Sequence, residues 1–316
     1  MTPPGGLREA ADAYLAMRRA LGYKLVTHGR LLMDFVGYCE RCQAPAVTTA
    51  LAVAWARSPA DADPYWWTRR LSVVRIFARH LETFDPATEV PAGNLLRTRP
   101  RRNVPYVYTS DEISALLDAT SMLRPHRRPR LCTVTYHTLL ALLAITGMRV
   151  GEACALDSGD VDLTTARITI DRAKLGKSRQ LPLHSTTVAA LAGYATLRDQ
   201  LRPHTATAAF FISIDGNRLC PDAADAAFCS LRTIAGIHTP PGRRAPRIHD
   251  LRHSMAVTTL LEWYRDGGDV QARLPLLSTW LGHAGPVSTY WYLEAVPELL
   301  ALAAGRLTEP GTEEWP

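Results

Sequence analysis

Residues 249–253 read HDLRH, and residues 281–292 read LGHAGPVSTYWY. The rest of the chain is read outward from these two boxes. If 248–265 is a helix, His249 and Arg252 share one face, because residues three apart on a helix are neighbours. His283 stands nine residues before Tyr292. Two imidazoles, a guanidinium and a phenol can then meet in one pocket. A guanidinium fork matches phosphate oxygens, and an imidazole can shuttle a proton near neutral pH. A phenol beside them can attack phosphorus, so the set suits phosphoryl transfer without a metal. An HxxR pair alone is common on surface helices, and the reading therefore depends on what distant segments add.

The length, 316 residues, suggests two domains, each large enough for its own core. Lys and Arg number 36 against 30 Asp and Glu, a surplus of +6 that fits a nucleic-acid partner without requiring one. Cys39 and Cys42 make one CxxC with no second pair and no clustered histidines, which argues for reduced, partly buried thiols over a structural zinc. Reduced thiols point to the cytoplasm. The start, MTPPGG, lacks the basic-then-apolar pattern of a signal peptide, and no apolar run is long enough for a membrane span. No Asp/Glu cluster resembles a metal site, and no glycine-rich nucleotide loop appears, so neither metal nor nucleotide cofactor is expected.

In the first hundred residues the apolar spacing predicts four helices. They are 7–23 with Leu7, Ala11, Tyr14, Leu15 and Leu21; 27–41 with Leu31, Leu32, Phe35, Val36 and Cys39; a short one through Trp55 capped by Thr48 or Thr49; and 65–83 with Trp66, Leu71, Val74, Ile76, Phe77 and Leu81. These form a small bundle. The fourth helix also carries Arg69, Arg70, Arg75 and Arg79. Such a run is either a solvated face or a face laid on DNA phosphates. Prolines 86, 91, 100 and 105 discourage regular structure, and Arg97, Arg99, Arg101 and Arg102 make the same stretch basic. We read 91–106 as a linker between a helical domain at 1–90 and a second domain at 107–305. A short acidic tail, 306–316, with Glu309, Glu313 and Glu314, is expected to be flexible.

In the second domain Thr109 and Glu112 resemble a capping box that opens a helix near 110. The stretch RPHRRPR, 124–130, is a basic loop that includes Arg127 and Arg128, and 131–145 is a strongly apolar helix. Gly147 permits a sharp exit from it. Arg149 then stands at a turn between apolar helices and needs a partner, which Glu152 can supply. ARITI at 166–170 and QLPLH at 180–184 alternate as strands do and form a hairpin whose turn carries Lys174 and Lys177, with Arg179 beside it. Helices are expected at 185–200 and 222–236, with a short hairpin around Asp215-Gly216 between them. An exposed basic loop with Arg243 and Arg244 leads to His249.

Taken in order, TGMRVGE at 146–152, the hairpin lysine, HxxR, LGH and the final tyrosine resemble the tyrosine recombinase, or phage-type integrase, family over essentially the whole chain. The resemblance implies a mainly α fold with small β elements: an N-terminal four-helix core-binding bundle and an α+β catalytic domain, closing on DNA as a C-shaped clamp. It implies Arg149, Lys174, His249, Arg252, His283 and Tyr292 as the catalytic set, with Glu152 in support. Tyr292 would form a 3′-phosphotyrosyl bond and release a 5′-hydroxyl. Arg149 and Arg252 would neutralise the phosphate, Lys174 would be the general acid, His249 would aid proton transfer and His283 would donate to a phosphate oxygen. His253 is frequent in the family and is read as a packing or orienting residue. Tyr290 competes as nucleophile, but the interval from His283 favours Tyr292. The implied partners are a double-stranded DNA recombination site, a synaptic tetramer of the chain itself, and companion recombinases or accessory proteins. Arg69, Arg70, Arg75, Arg79, Arg99, Arg101, Arg102, Arg127, Arg128, Lys177, Arg179, Arg243 and Arg244 are the DNA-contact candidates.

Three features depart from or bear on that pattern. The interval from His249 to His283 is longer than in compact members, with the extra material expected around 262–275, and Glu294 stands where a histidine often follows the nucleophile. The apolar stripe of 293–305 could dock on a neighbouring protomer or on its own. Integration, excision or transposition of a mobile element is the preferred role. The alternatives are a type IB topoisomerase-like nicking-closing enzyme and an inactive DNA-binding relative.

Overall fold

The computed structural model describes residues 6–96, 105–123, 129–171, 178–205, 207–283, 289–290, 292 and 297–308. The chain divides into two compact units, Met1–Arg102 and Asn103–Pro316. The linker residues Arg97, Arg99, Arg101 and Arg102, the loop residues Arg127 and Arg128, the hairpin lysines Lys174 and Lys177, Glu294 and the tail residues Glu309, Glu313 and Glu314 lie outside the described residues.

The first unit is built from α1 (Gly6–Ala20), α2 (Val26–Arg41), α3 (Thr49–Arg57) and α4 (Pro64–Leu81). The caps are local and were legible. Thr48 Oγ1 accepts from the Leu51 N–H at 3.2 Å, and Asp63 accepts from the Tyr65 N–H at 2.7 Å just ahead of Pro64. The predicted stripes meet in one core containing Leu32, Phe35, Val36, Trp55, Leu71, Val74 and Phe77. Leu21 and Ile76 do not join it and are exposed, since the first lies past the end of α1 and the second sits on the outer side of α4. Residues 91–96 lie against the bundle instead of leaving it. Arg75 donates to the carbonyls of Pro91 and Ala92, at 2.8 and 3.1 Å, and Thr68 Oγ1 donates to the Leu96 carbonyl at 3.1 Å.

In the second unit the Thr109–Glu112 capping box opens α5 (Ser110–Ala119). α6 (Pro129–Thr146) buries Leu139, Leu140, Leu142 and Leu143 at the centre of the largest core. Gly147, at φ +62°, ends it in a conformation that glycine reaches without a Cβ penalty. α7 (Val150–Ala155) follows, then a three-stranded antiparallel sheet of β1 (Val161–Asp162), β2 (Arg167–Ile170) and β3 (Arg179–Pro182). β1 was not anticipated, being too short to alternate. Ile168 pairs with Leu181, and both point into the core. α8 (Ser185–Leu201) and α9 (Pro221–Ile234) match their predicted spans closely, with the turn at Asp215-Gly216 between them closed by a bridge from Ile212 to Arg218.

The long interval before LGH is ordered helix. α10 (Asp250–Arg265) runs through most of it, Gly267 turns the chain at φ +76°, and α11 (Val270–Leu281) starts on an Asp269 cap. Residues 262–275 therefore form the end of one helix, a tight turn and the start of the next. α12 (Pro297–Thr308) extends beyond 305, into the expected tail, and packs on α10 of its own chain. Leu299 is fully buried there, and Glu298 pairs with Arg265 at 2.6 Å. Among the described residues, no helix is long and apolar enough to cross a membrane.

Candidate active site

The site forms where α6, α7, α10 and α11 bring their ends together. α11 stops at Gly282, at φ +66°, which leaves its last carbonyls without intrahelical donors. Three arginines from three other elements satisfy three consecutive carbonyls. Arg179 Nε donates to Trp280 O at 2.9 Å, Arg252 Nη2 to Leu281 O at 2.6 Å, and Arg149 Nη2 to Gly282 O at 3.0 Å. A helix C-terminus carries partial negative charge, so it is a favourable place to gather cations. Arg252 also donates to Gly147 O at 2.8 Å, at the end of α6, and Trp280 Nε1 donates to Thr146 O at 2.8 Å. His283 follows directly, its backbone N–H bonded to Ser278 O at 3.0 Å.

Glu152 is the one carboxylate bound within this arginine group, among the described residues. It accepts from Arg149 Nη1 at 2.6 Å and from the Arg149 N–H at 3.0 Å, and it takes both Nη groups of Arg179, at 3.2 and 2.7 Å. Burial on its own would raise its pKa. The bonds from Arg179 and Arg149 outweigh that and hold it down to about 2. Arg252 is 3% exposed, and burial together with the Arg149 charge lowers its pKa to about 10.

Tyr292 is 2% exposed, and its hydroxyl shares a 3.0 Å hydrogen bond with His253 Nδ1. Burial raises the phenol pKa, against the pull of the Arg252 charge and hydrogen bond. The His283 ring stacks near Tyr292 at 6.3 Å between centroids, with its Nδ1 2.8 Å from Thr289 Oγ1. His249 occupies the N-cap position of α10 without a side-chain cap bond and stands edge-on to His253 at 4.9 Å between centroids. Burial, with Arg252 the largest charge acting on the other two, lowers His249 and His283 to about 4; burial and the neighbouring His249 lower His253 to about 3. All three imidazoles are therefore neutral at neutral pH.

The structure thus brings together Arg149, Glu152, His249, Arg252, His283 and Tyr292, the expected set apart from Lys174. His253, read as a packing or orienting residue, is hydrogen-bonded to the tyrosine hydroxyl; its position four after His249, on the same helical face, was the available signal. Arg179, read as a DNA contact, has a buried side chain that is fully engaged with Glu152 and Trp280. Strand alternation places it on the inward side with Leu181, which would have revealed it. Arg70 is likewise corrected: it is buried, donates to Trp55 O at 2.9 Å, and lies 3.8 Å over the Trp55 ring. Arg75 is half-buried on its carbonyls, while Arg69, Arg79, Arg243 and Arg244 are exposed. Tyr290 is 40% exposed, in contrast to Tyr292.

Comparison with known proteins identifies the family and the fold. The phage integrase family matches residues 107–298. The chain is 41% identical over 302 residues to the integrase/recombinase y4rB of Sinorhizobium fredii, covering 95% of this chain and 96% of that one. It is 35% identical over 241 residues to the tyrosine recombinase XerD of Mycobacterium tuberculosis, covering 73% and 72%. Among solved structures, the fold is similar to XerH recombinase bound to a difH substrate (TM-score 0.64, 17% identity, 90% of this chain and 79% of that one). It is also similar to the Tn1549 transposon integrase in complex with transposon right end DNA (TM-score 0.63, 14% identity, 94% and 99%).

Proposed function

This chain belongs to the phage integrase family of tyrosine recombinases, and from that membership we propose that Tyr292 is the nucleophile with which it cleaves and rejoins DNA at a specific site. The phenolic oxygen attacks the scissile phosphorus, the bond to the 5′-oxygen breaks, and the DNA 3′ end is left as a phosphotyrosyl ester. The ester conserves the phosphodiester bond energy, so rejoining by the 5′-hydroxyl needs no nucleotide.

The observation that carries this reading is the buried Tyr292 hydroxyl held by His253 at 3.0 Å beside Arg252. In the tautomer protonated on Nε2, which faces Asp250 at 3.9 Å, His253 Nδ1 accepts the phenol proton. Arg149 is oriented by Gly282 O and Glu152, and Arg252 by two carbonyls, each through only part of its donor set, and the remaining N–H groups suit non-bridging phosphate oxygens. Removing either should slow cleavage on the order of 10²-fold or more. His283 donates to the same phosphate, His249 supports proton transfer behind His253, and Lys174 protonates the departing 5′-oxygen.

The helical domain, 1–90, grips DNA electrostatically through the exposed Arg69 and Arg79, and the exposed Arg243 and Arg244 of the second unit suit the same task. Strand exchange uses four copies of the chain on two duplexes, in the cytoplasm. The extended identity to a protein named integrase/recombinase supports movement of a mobile element as the role.

The test uses nicked duplexes with randomised sequence around the nick, from which cleaved strands cannot be rejoined. The chain should capture a subset as a denaturation-resistant adduct mapping to Tyr292, and Tyr292→Phe should capture none while still binding DNA. An adduct formed equally by the Phe variant, or nicking without sequence preference, would overturn the reading.

A further inference from the structure

We propose that Arg179 is a positioning residue for the cleavage reaction, acting by fixing Glu152, and through it Arg149, against the C-terminal end of α11. This rests on the proposed role of Arg149 at the phosphate. It assigns to Arg179 a task other than touching DNA.

The geometry is specific. All three nitrogen positions of the Arg179 guanidinium are engaged: Nε with Trp280 O at 2.9 Å, and Nη1 and Nη2 with the two oxygens of Glu152 at 3.2 and 2.7 Å. The side chain is 8% exposed and Glu152 10%. A bidentate fork of this kind fixes orientation as well as distance. Glu152 Oε1 is shared with Arg149 Nη1 at 2.6 Å, so the carboxylate is a hinge pin between the two arginines. Arg149 reaches Gly282 O, two residues beyond the Trp280 carbonyl that Arg179 holds. Arg179 and Arg149 thus grip the same helix end and the same carboxylate, and the Arg149 guanidinium is set by a closed frame.

Gly282 records how tightly that frame is drawn. A Cβ there would stand 2.6 Å from Arg179 Nη1 and 2.9 Å from Cζ, so the guanidinium passes where any other residue's side chain would begin. Without Arg179, Glu152 would keep Arg149 as its one cationic partner and could follow it toward solvent, since Arg149 is 31% exposed.

The test compares Arg179→Met, Glu152→Gln and the double variant with the parent. The substrate is the sequence recovered with the parent from the randomised nicked pool. Single-turnover cleavage by Arg179→Met should fall about 100-fold, the loss typical of one misplaced preorganised donor, with DNA affinity and its salt slope unchanged. The double variant should be no slower than the slower single, because both remove the same frame. Arg179→Lys, which keeps the charge and loses the fork, should restore little. Weakened DNA binding with a salt slope reduced by about 1 would mean a phosphate contact and overturn the proposal. So would losses that multiply in the double variant. A second readout needs no DNA: in protein carrying 13C-labelled glutamate, the Glu152 carboxyl of Arg179→Met should titrate well above the parent's. An unchanged titration refutes the coupling whether or not the parent cleaves any duplex. Failure of the parent to form an adduct refutes instead the reading on which Arg149 meets a phosphate.

Discussion

Replacing Gly282 by alanine tests the frame at its tightest point. Gly282 has φ +66° and ψ +46°, the left-handed region, where a Cβ costs roughly 1–2 kcal/mol. That cost applies whatever the surroundings. The added carbon would also meet Arg179 Nη1 at 2.6 Å, well inside contact distance. The guanidinium cannot swing aside freely, because its Nε and both Nη groups are bonded to Trp280 and Glu152. Giving up even one charged hydrogen bond costs about 1.5–3 kcal/mol. Together these come to about 3 kcal/mol or more, which lowers the melting temperature of a unit this size by roughly 6–12 °C. Scanning calorimetry of the full chain measures it. Thr48→Ala, which strips the α3 cap at a cost of about 1 kcal/mol, marks the first unit's transition, and Gly282→Ala should move only the other. Gly151→Ala is the control: a Cβ there meets nothing within 4 Å, so it should not lower the transition. If Gly282→Ala melts with the parent, or Gly151→Ala falls as far, the reasoning about the arginine frame is wrong.

Glu152→Gln should be destabilised at neutral pH by an amount that shrinks in acid. The Glu152 pKa drops from 4.5 to about 2 on folding, so its contribution, about 3 kcal/mol at 1.36 per unit, is present above pH 4.5 and lost as pH falls toward 2. Urea midpoints for parent and variant should converge over that window; a gap constant with pH would contradict it. The three histidines have the opposite chemistry but the same slope. Their folded pKa values of about 3 to 4 lie below the ordinary 6.5, so stability is full above pH 6.5 and declines as pH falls toward 4. His253→Gln should flatten part of that decline, and nuclear magnetic resonance should find the parent's His253 ring neutral at pH 6. Tyr290→Phe should leave adduct formation near the parent level, since Tyr290 is exposed while Tyr292 holds the bond to His253. Loss of the adduct in that variant would reassign the nucleophile.

Much of this molecule could be read from local chemistry. The Thr48 and Thr109 caps, the Gly147 exit and the apolar α6 all act over a few residues, and each stands where the sequence suggested. The stripes of α1 and α4 exclude Leu21 and Ile76, which fit the helical period only at its margin and are exposed. The site's residue types were legible, but its support was not. Arg179 reaches Trp280 across 101 positions, Arg252 reaches Gly147 across 105, and Arg149 reaches Gly282 across 133. Their partners are backbone carbonyls, which every residue has, so no side-chain pattern announces them. Arg70 and Arg179 are obscured for a related reason: charge alone suggests a DNA contact for each, whereas the helical face of one and the strand alternation of the other place them inward.

The α11 terminus also decides how much charge the pocket retains. A carbonyl dipole steers a cation without cancelling it, whereas a carboxylate does both. Two of the three guanidiniums, Arg149 and Arg179, share the carboxylate of Glu152, and Arg252 leans on peptide oxygens. The DNA-free protein therefore holds its arginines against both burial and mutual repulsion, and the Arg252 pKa is lowered first by burial and then by the Arg149 charge. An arriving phosphate would relieve that tension as it docks, so the fold gives up some of its own stability to stand ready for an anion.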